Sequence, residues 1–352
     1  MCLRPSLCII NYNGVHHLRR SLPAALRLRS AFAEILLVDN GSTDDSLAYV
    51  QSRHPEVRVV ALAVNRGAGA ARNAGIRHAA SDRILFIDND VQLAPGCAEA
   101  LMAALDRHPE AACAAATVLY ADRPRIVQYD GAGAHYLGLM SLQHAELPLA
   151  ARRTRLRATN SLVTCCFLLD RRRLAGARFD QDMLVYFDDH DFALALRRRG
   201  RLLLAVPEAL AYHGEGTEGL SIRRLGGYSE MRVFQLIRNR WLVLAKHYSL
   251  RTLLLIAPML LVFEAAQLSV ALKKGWGRSW WRAAVWMWRH RRRVRAKRRR
   301  EQRARRVADG AILEDGPLPL RPELAASPAE RWARRLLDGA SRGYFRLIRR
   351  WL

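Results

Sequence analysis

The stretch Ile84-Leu85-Phe86-Ile87-Asp88-Asn89-Asp90-Val91 decides how this chain is read. Four successive apolar residues, β-branched or aromatic for the most part, suit a strand buried on both faces. Two carboxylates one residue apart stand at its C-terminal end. The same pattern of a short apolar run with a polar or glycine boundary recurs at Leu7–Ile10, Ile35–Val38 and Val57–Ala61. Helical stretches at Val15–Leu28, Ser46–Arg53 and Gly69–His78 lie between these runs. Such alternation predicts an α/β fold, Rossmann-like, with a mostly parallel sheet flanked by helices and right-handed crossovers. Further on, a helix is expected over Gly96–Arg107 and a strand over Ala111–Leu119. Ala121–Arg157 reads as irregular loop or short hairpins, Ser161–Leu169 as a strand and Asp189–Arg199 as a helix. The strand-like Leu202–Val206 then meets Pro207.

The chain has 352 residues, of which 51% are hydrophobic and 25% charged, the balance of a globular protein able to bury a sizeable core. Its net charge of +25 is carried mainly by arginine and is densest in Arg289–Arg306. A concentrated basic block implies an anionic partner, phospholipid or nucleic acid. Six cysteines show no C-x-x-C spacing and read as reduced core residues. Met1–Asn13 lacks a signal-peptide pattern, so the fold is expected to start at once.

The C-terminal third changes character. Leu253–Leu272 is nearly all apolar and just long enough to span a bilayer, but Glu264 and Gln267 share one helical face. A single span would also put Arg289–Arg306 on the far side, against the positive-inside tendency. An interfacial or re-entrant helix fits better, and the Trp-rich segment Trp276–Trp288 suits a headgroup layer. The competing assignment is a helix that caps the core of the preceding domain.

Four polar loops follow the strands in order: Asn11-Tyr12-Asn13, Asp39-Asn40-Gly41-Ser42-Thr43-Asp44, Asn65-Arg66-Gly67-Ala68-Gly69 and Asp88-Asn89-Asp90. Open α/β sheets bind ligands at strand C-terminal ends. Each loop alone is an ordinary turn sequence; the ordered set is far more specific. Asp88 and Asp90 are carboxylates of the kind that hold a hard cation bridging phosphates.

The order of Leu7–Asn13, Leu37–Asp44, Asn65–Ile76 and Ile84–Val91 resembles the nucleotide-binding half of family 2 glycosyltransferases. The likeness continues through Tyr186-Phe187-Asp188-Asp189-His190-Asp191, Pro207–His213 and Arg238-Asn239-Arg240, covering roughly residues 5–250. Its flavour is that of the bacterial rhamnosyltransferase-like subgroup. The resemblance implies a GT-A fold and sugar transfer with inversion from a nucleotide-diphosphate sugar donor to a saccharide or lipid-linked saccharide. It also implies a divalent metal, Mg²⁺ or Mn²⁺. By position it gives Asp39 to the base or ribose, with Asn11 and Asn13 shaping that pocket, and Arg72 to the base or phosphates. Asp88 would lie beside ribose and metal, Asp90 would ligate the metal, and His213 would complete the metal site or touch the diphosphate. Asp189 matches the catalytic base, with Asp188 and Asp191 in the acceptor-site motif. Asp188 stands where the family commonly has Glu, and Ala68 where an aromatic is often found.

These readings divide the chain into a catalytic domain over 1–215, with a nucleotide-sugar half to about 120 and an acceptor half from about 121. A helical closure over 216–250, a membrane-associating region with the Arg-rich block over 251–306, and a tail over 307–352 follow. The tail is expected to be partly disordered or to hold one short helix near Arg331–Leu352. The expected place is the cytoplasmic face of the inner membrane, on an anionic surface and held peripherally or monotopically. A nucleic-acid partner is disfavoured because the basic block is coupled to an apolar helix and tryptophans. A dinucleotide-dependent oxidoreductase is disfavoured because Asn11-Tyr12-Asn13-Gly14 stands where G-x-G-x-x-G belongs.

Overall fold

The computed structural model describes residues 4–152, 154–214, 229–319 and 327–352. It contains two compact units, one built from 1–132, 142–196 and 201–227, the other from 133–141, 197–200 and 228–352. The expected closure over 216–250 and the glycines after Gly214 fall partly outside the described residues.

The first unit opens with β1 (Ser6–Asn11), α1 (Val15–Arg27), β2 (Glu34–Asp39), α2 (Ser46–Arg53), β3 (Arg58–Ala61), α3 (Ala68–His78) and β4 (Arg83–Asp88). β1 pairs in parallel with both β2 and β4, and β3 extends the parallel set at its edge. Leu7, Cys8, Ile9, Leu36, Leu37, Leu85 and Phe86 are fully buried, as expected where helices cover both faces. β3 is half exposed, because an edge strand has fewer neighbours to cover it.

Beyond β4 the sheet changes direction. After β5 (Val91–Leu93) and α4 (Cys97–Arg107) come β6 (Ala111–Tyr120), β7 (Val127–Tyr129), β8 (Ala132–His135), β9 (Leu139–Leu142), β10 (Arg157–Thr159) and β11 (Cys166–Asp170). β11 runs antiparallel between β4 and β6, and the sheet order is β10-β12-β6-β11-β4-β1-β2-β3, where β12 is Leu202–His213. The strand expected over Ser161–Leu169 therefore begins only at Cys166. Ser161–Cys165 stays irregular, and that frees its backbone for the site. β12 also does not stop at Pro207: the register shifts between Val206 and Leu210 and then resumes. Proline cannot donate to the ladder, so the chain bulges there and continues to His213. α5 (Asp188–Arg198) links this sheet's β11 side to β12.

The second unit is mainly helical: α6 (Glu230–His247), α7 (Leu250–Lys273), α8 (Gly277–Arg289), α9 (Arg291–Arg303) and α10 (Pro328–Ile348). Ser229, Ser249 and Ser327 cap α6, α7 and α10, each accepting a backbone N–H three residues on. α10 is a full 21-residue helix with a capping box, longer than the short helix the sequence suggested. The polar notch of α7 has its reason here. Arg240 is fully buried and donates to Glu264 and to Gln267 (3.3 Å), while Trp241 donates to Glu264 at 3.0 Å. Part of the Arg-rich block also faces inward. Arg298 donates to the carbonyls of Ala245 and Tyr248, both at 2.7 Å, and Gln302 to that of Lys246, so they close the C-terminal end of α6.

Candidate active site

The C-terminal ends of β1, β2 and β4 bring the first, second and fourth of the polar loops together. Asn89 donates to Asn11 Oδ1 at 2.7 Å, and its carbonyl accepts from Ser21, which ties the β4 loop to β1 and α1. A Cβ at Gly14 would lie 1.9 Å from Asn89 Nδ2, so any larger residue there would displace the Asn89 side chain from Asn11. Asn11 donates to Ser42 at 3.2 Å, Asn13 Oδ1 accepts from Thr43 N at 2.8 Å, and Asp39 Oδ1 accepts from Ser42 N at 3.0 Å. Asn11 and Asp39 are fully buried, so they fix the shape of the loop as well as its polarity.

Arg72 sits at the centre. It reaches Asp88 at 2.7 Å, the Thr164 carbonyl at 3.0 Å and Asp188 at 3.4 Å, and is 3% exposed. The resemblance gave Arg72 to the base or phosphates; its guanidinium is engaged by two protein carboxylates and a carbonyl. α3 can carry it there because Gly67 opens the helix at φ +86°, where a Cβ would meet the Leu184 carbonyl at 2.3 Å. Three acids, Asp88, Asp188 and Asp189, thus face one guanidinium. Burial raises the carboxyls of Asp88 and Asp188 above the ordinary range despite the pull of Arg72. Burial, reinforced by the negative charge of Asp188, pushes Asp189 up to about 7.

The backbone before these acids is strained. Tyr186 and Phe187 both take φ +64°, a left-handed conformation costly for aromatic residues, and such strain concentrates at functional sites. Two left-handed residues turn the chain sharply into α5. Asp188 and Asp191 are buried on one face and Asp189 is partly exposed, as their spacing predicts. Asp191 lies 1% exposed, and its backbone N–H bonds the Phe187 carbonyl at 2.8 Å.

The far edge of the site comes from β12. Pairing of His213 with Val91 sets His213 Nε2 3.2 Å from Asp90 Oδ1, while Nδ1 meets Gln128 Oε1 at 3.0 Å. Burial works against charge on His213, but Cys165 and Asp90 beside it prevail and raise the imidazole to about 10. Among the described residues no group of three His, Cys, Asp or Glu side chains forms a ready-made metal cage. Thr164, Cys165, Gln128 and Tyr129 join the site without having been singled out as site residues. Cys165 lies against Tyr129, and its carbonyl accepts from Asp88 N at 3.0 Å. No local motif marks these four, because the antiparallel pairing of β11 and the β6–β7 hairpin deliver them.

Residues 6–174 match the sequence profile described as glycosyl transferase family 2. That stretch, just under half of the chain, is a family 2 glycosyltransferase domain. Among its relatives, this glycosyltransferase is 26% identical over 226 residues to N-acetylglucosaminyl-diphospho-decaprenol L-rhamnosyltransferase of Mycobacterium tuberculosis (strain CDC 1551 / Oshkosh). That match covers 58% of this chain and 74% of the relative. It is 30% identical over 209 residues to the succinoglycan biosynthesis protein ExoO of Rhizobium meliloti (strain 1021), covering 57% and 58% respectively. The solved structure of GalNAc-T7 with UDP, GalNAc and Mn²⁺ superposes with a TM-score of 0.54 at 18% identity. It covers 69% of this glycosyltransferase, which spans about half (48%) of that longer chain. The likeness extends to the fold: this is an α/β GT-A enzyme with a helical C-terminal region.

Proposed function

We propose that this glycosyltransferase moves a sugar, with inversion, from a nucleotide-diphosphate donor to a lipid-linked saccharide at the cytoplasmic face of a bacterial inner membrane. The observation that carries the reading is the cluster of Asp88, Asp188 and Asp189 around Arg72 at the strand ends. An acid with its proton affinity raised to about 7 suits general-base work near neutral pH. In a single displacement Asp189 takes the acceptor hydroxyl's proton as that oxygen attacks C1 of the sugar, and the nucleotide diphosphate leaves from the opposite face. Arg72 holds Asp88 and Asp188 in register, and Asp188 in turn tunes Asp189. Asp39, Asn11 and Asn13 shape the nucleoside pocket, while Asp191 anchors the first turn of α5.

The donor set fits a hard divalent cation. Asp88 and Asp90 would supply oxygens, and His213 Nε2, 3.2 Å from Asp90 Oδ1, would supply a nitrogen beside them. Two carboxylates with substrate phosphates form the usual shell for Mg²⁺ or Mn²⁺, so a closed protein cage is not required. When bound, such an ion neutralises charge on the diphosphate as it departs. The solved relative with UDP and Mn²⁺, and the relative named for a decaprenol-linked substrate, support the donor, metal and acceptor classes.

The features that suit a membrane surface lie in the second unit. Leu250–Lys273 is the one described helix long and apolar enough to cross a membrane. Ser279 of α8 bonds the Glu230 carbonyl of α6, and Arg298 of α9 bonds the end of α6, so the segments flanking α7 pack together. A spanning α7 would put them on opposite sides of a bilayer. An interfacial helix keeps them together, with Trp281, Trp288 and the exposed arginines of α9 beside it.

The test is calorimetric binding of UDP, dTDP and GDP, each with and without Mn²⁺. One nucleotide is expected to bind in a metal-dependent way that Asp90→Ala abolishes. A folded protein that binds none of them would overturn the proposal.

A further inference from the structure

Within the second unit, α6, α7 and α10 enclose a cleft of about 660 Å³ that the transfer chemistry does not use. Its wall includes Val233, Ile237, Phe263, Val270, Leu336 and Leu337. The polar side chains that reach it are largely engaged elsewhere. Gln267 meets Arg240, Ser269 donates to the Ala265 carbonyl at 2.8 Å, and Glu330 pairs with Lys273 and accepts from Ser327 N at 2.9 Å. A polar ligand therefore finds few partners in this wall, whereas a hydrocarbon loses no hydrogen bonds on entering. The volume lies within the roughly 300–1,000 Å³ range of small-molecule sites.

The surroundings specify the occupant. α7 is long and apolar enough to cross a membrane, yet only 17% of its most apolar stretch is buried. Val262 and Trp332 line the cleft and are 53% and 64% exposed, so the apolar wall continues onto an apolar outer face. An apolar surface of this extent calls for a covering partner. Trp276, in the wall, folds back to bond the Ala271 carbonyl, and the exposed Lys274 and Arg278 lie two residues either side of it in the chain; Arg334 stands in the wall itself. A hydrocarbon wall that carries an arginine matches one ligand type, an acyl chain joined to an anionic headgroup.

We propose that this cleft takes one acyl chain of an anionic phospholipid, lifted part-way from the leaflet on which α7 lies. The proposal rests on the membrane-surface part of the reading above, and it converts surface attachment into a stoichiometric lipid site. It accounts for a chain-sized apolar space opening onto an exposed apolar face, which attachment by surface charge alone does not require.

The experiment uses the full chain, incubated with phosphatidylglycerol vesicles, extracted in mild detergent and weighed by native mass spectrometry. One phosphatidylglycerol per chain is expected to be retained. Ala266→Phe on α7 and Ala340→Phe on α10, which fill the cleft from opposite walls, should each cut retention at least tenfold. Both should leave vesicle sedimentation within about twofold, since they leave α8 and α9 intact. Retention unchanged in both variants, no retained lipid in the parent, or a second copy of the chain held in place of lipid would each overturn the proposal. Calorimetric nucleotide binding on the same samples separates the two readings. Nucleotide binding without lipid retention removes only the chain site, and lipid retention without nucleotide binding removes only the transfer reading.

Discussion

Both units bury arginine against carboxylates, but with opposite charge balance. In the first unit one guanidinium, Arg72, faces Asp88, Asp188 and Asp189, and all three acids hold their protons more tightly than usual. In the second unit Glu301 takes Arg199 at 2.6 Å and Arg300 at 2.9 Å, and Arg198 and Arg305 converge on Asp309. There Glu301 is held below the ordinary range: burial opposes ionisation, but the bond from Arg199 and nearby cations outweigh it. A buried carboxylate matched or outnumbered by guanidinium groups stays ionised and serves the fold. A cluster with surplus negative charge is costly to keep, and that is the pattern expected of a catalytic site.

The sharpest way to break this comparison is Asp189→Asn. If the surplus acid is the base, turnover falls about 10²–10⁴-fold. Calorimetric nucleotide affinity should stay within a few-fold. An equal loss of affinity would mean that Asp189 builds the donor pocket instead. Its counterpart is Asp309→Asn, which leaves Arg198, 1% exposed, without its carboxylate. Stripping one partner from a buried pair costs about 3–5 kcal/mol, so thermal unfolding should shift sharply. Nucleotide affinity of the folded fraction should not change.

The sign of the pH response sharpens the same contrast. With the Asp189 carboxyl near 7, its base form disappears as pH falls through that value, so kcat should drop on the acid side. Asp188→Asn removes the neighbouring negative charge, a stated cause of that elevation, and should move the acid limb to lower pH. A limb that stays in place under Asp188→Asn would assign it to another group.

The strand-loop frame was legible because strands buried on both faces must be runs such as Leu7–Ile10 and Ile84–Ile87, and their polar ends must be the four loops. The left-handed turn at Tyr186–Phe187 was not, since neither residue type announces it. Nor was the antiparallel β11, whose direction depends on partners at distant positions and which brings Thr164 and Cys165 to Asp88 and Arg72. β12 was cut short at Pro207 because a bulge and a strand end look alike when only the proline is seen. The Arg-rich block implies an anionic partner, and composition alone cannot reveal that Arg298 and Gln302 close α6.

A smaller effect tests whether site geometry depends on the backbone as much as on the charges. Gly67 holds φ +86° against the Leu184 carbonyl and opens the helix that carries Arg72. Gly67 also has ψ 157°, a backbone region essentially reserved for glycine, and in Gly67→Ala that conformation alone costs about 1–3 kcal/mol. The new Cβ must also push Leu184 away, and Leu184 lies in the approach to Tyr186 and Asp188. Stability should therefore fall modestly, while kcat falls by more than stability explains.

The smallest effect belongs to an ion pair outside either buried set. Lys273 reaches Glu330 from a side chain that is 66% exposed, so water already solvates the charge it would lose. Exposed pairs contribute about 0–1 kcal/mol, and Glu330 keeps its capping bond to Ser327 when the lysine is gone. Lys273→Ala should thus shift the unfolding midpoint by about a degree or two at most. A shift approaching that of Asp309→Asn would show that exposure does not separate structural from dispensable pairs in this unit. The contrast between the two regions would then have to rest on charge balance alone.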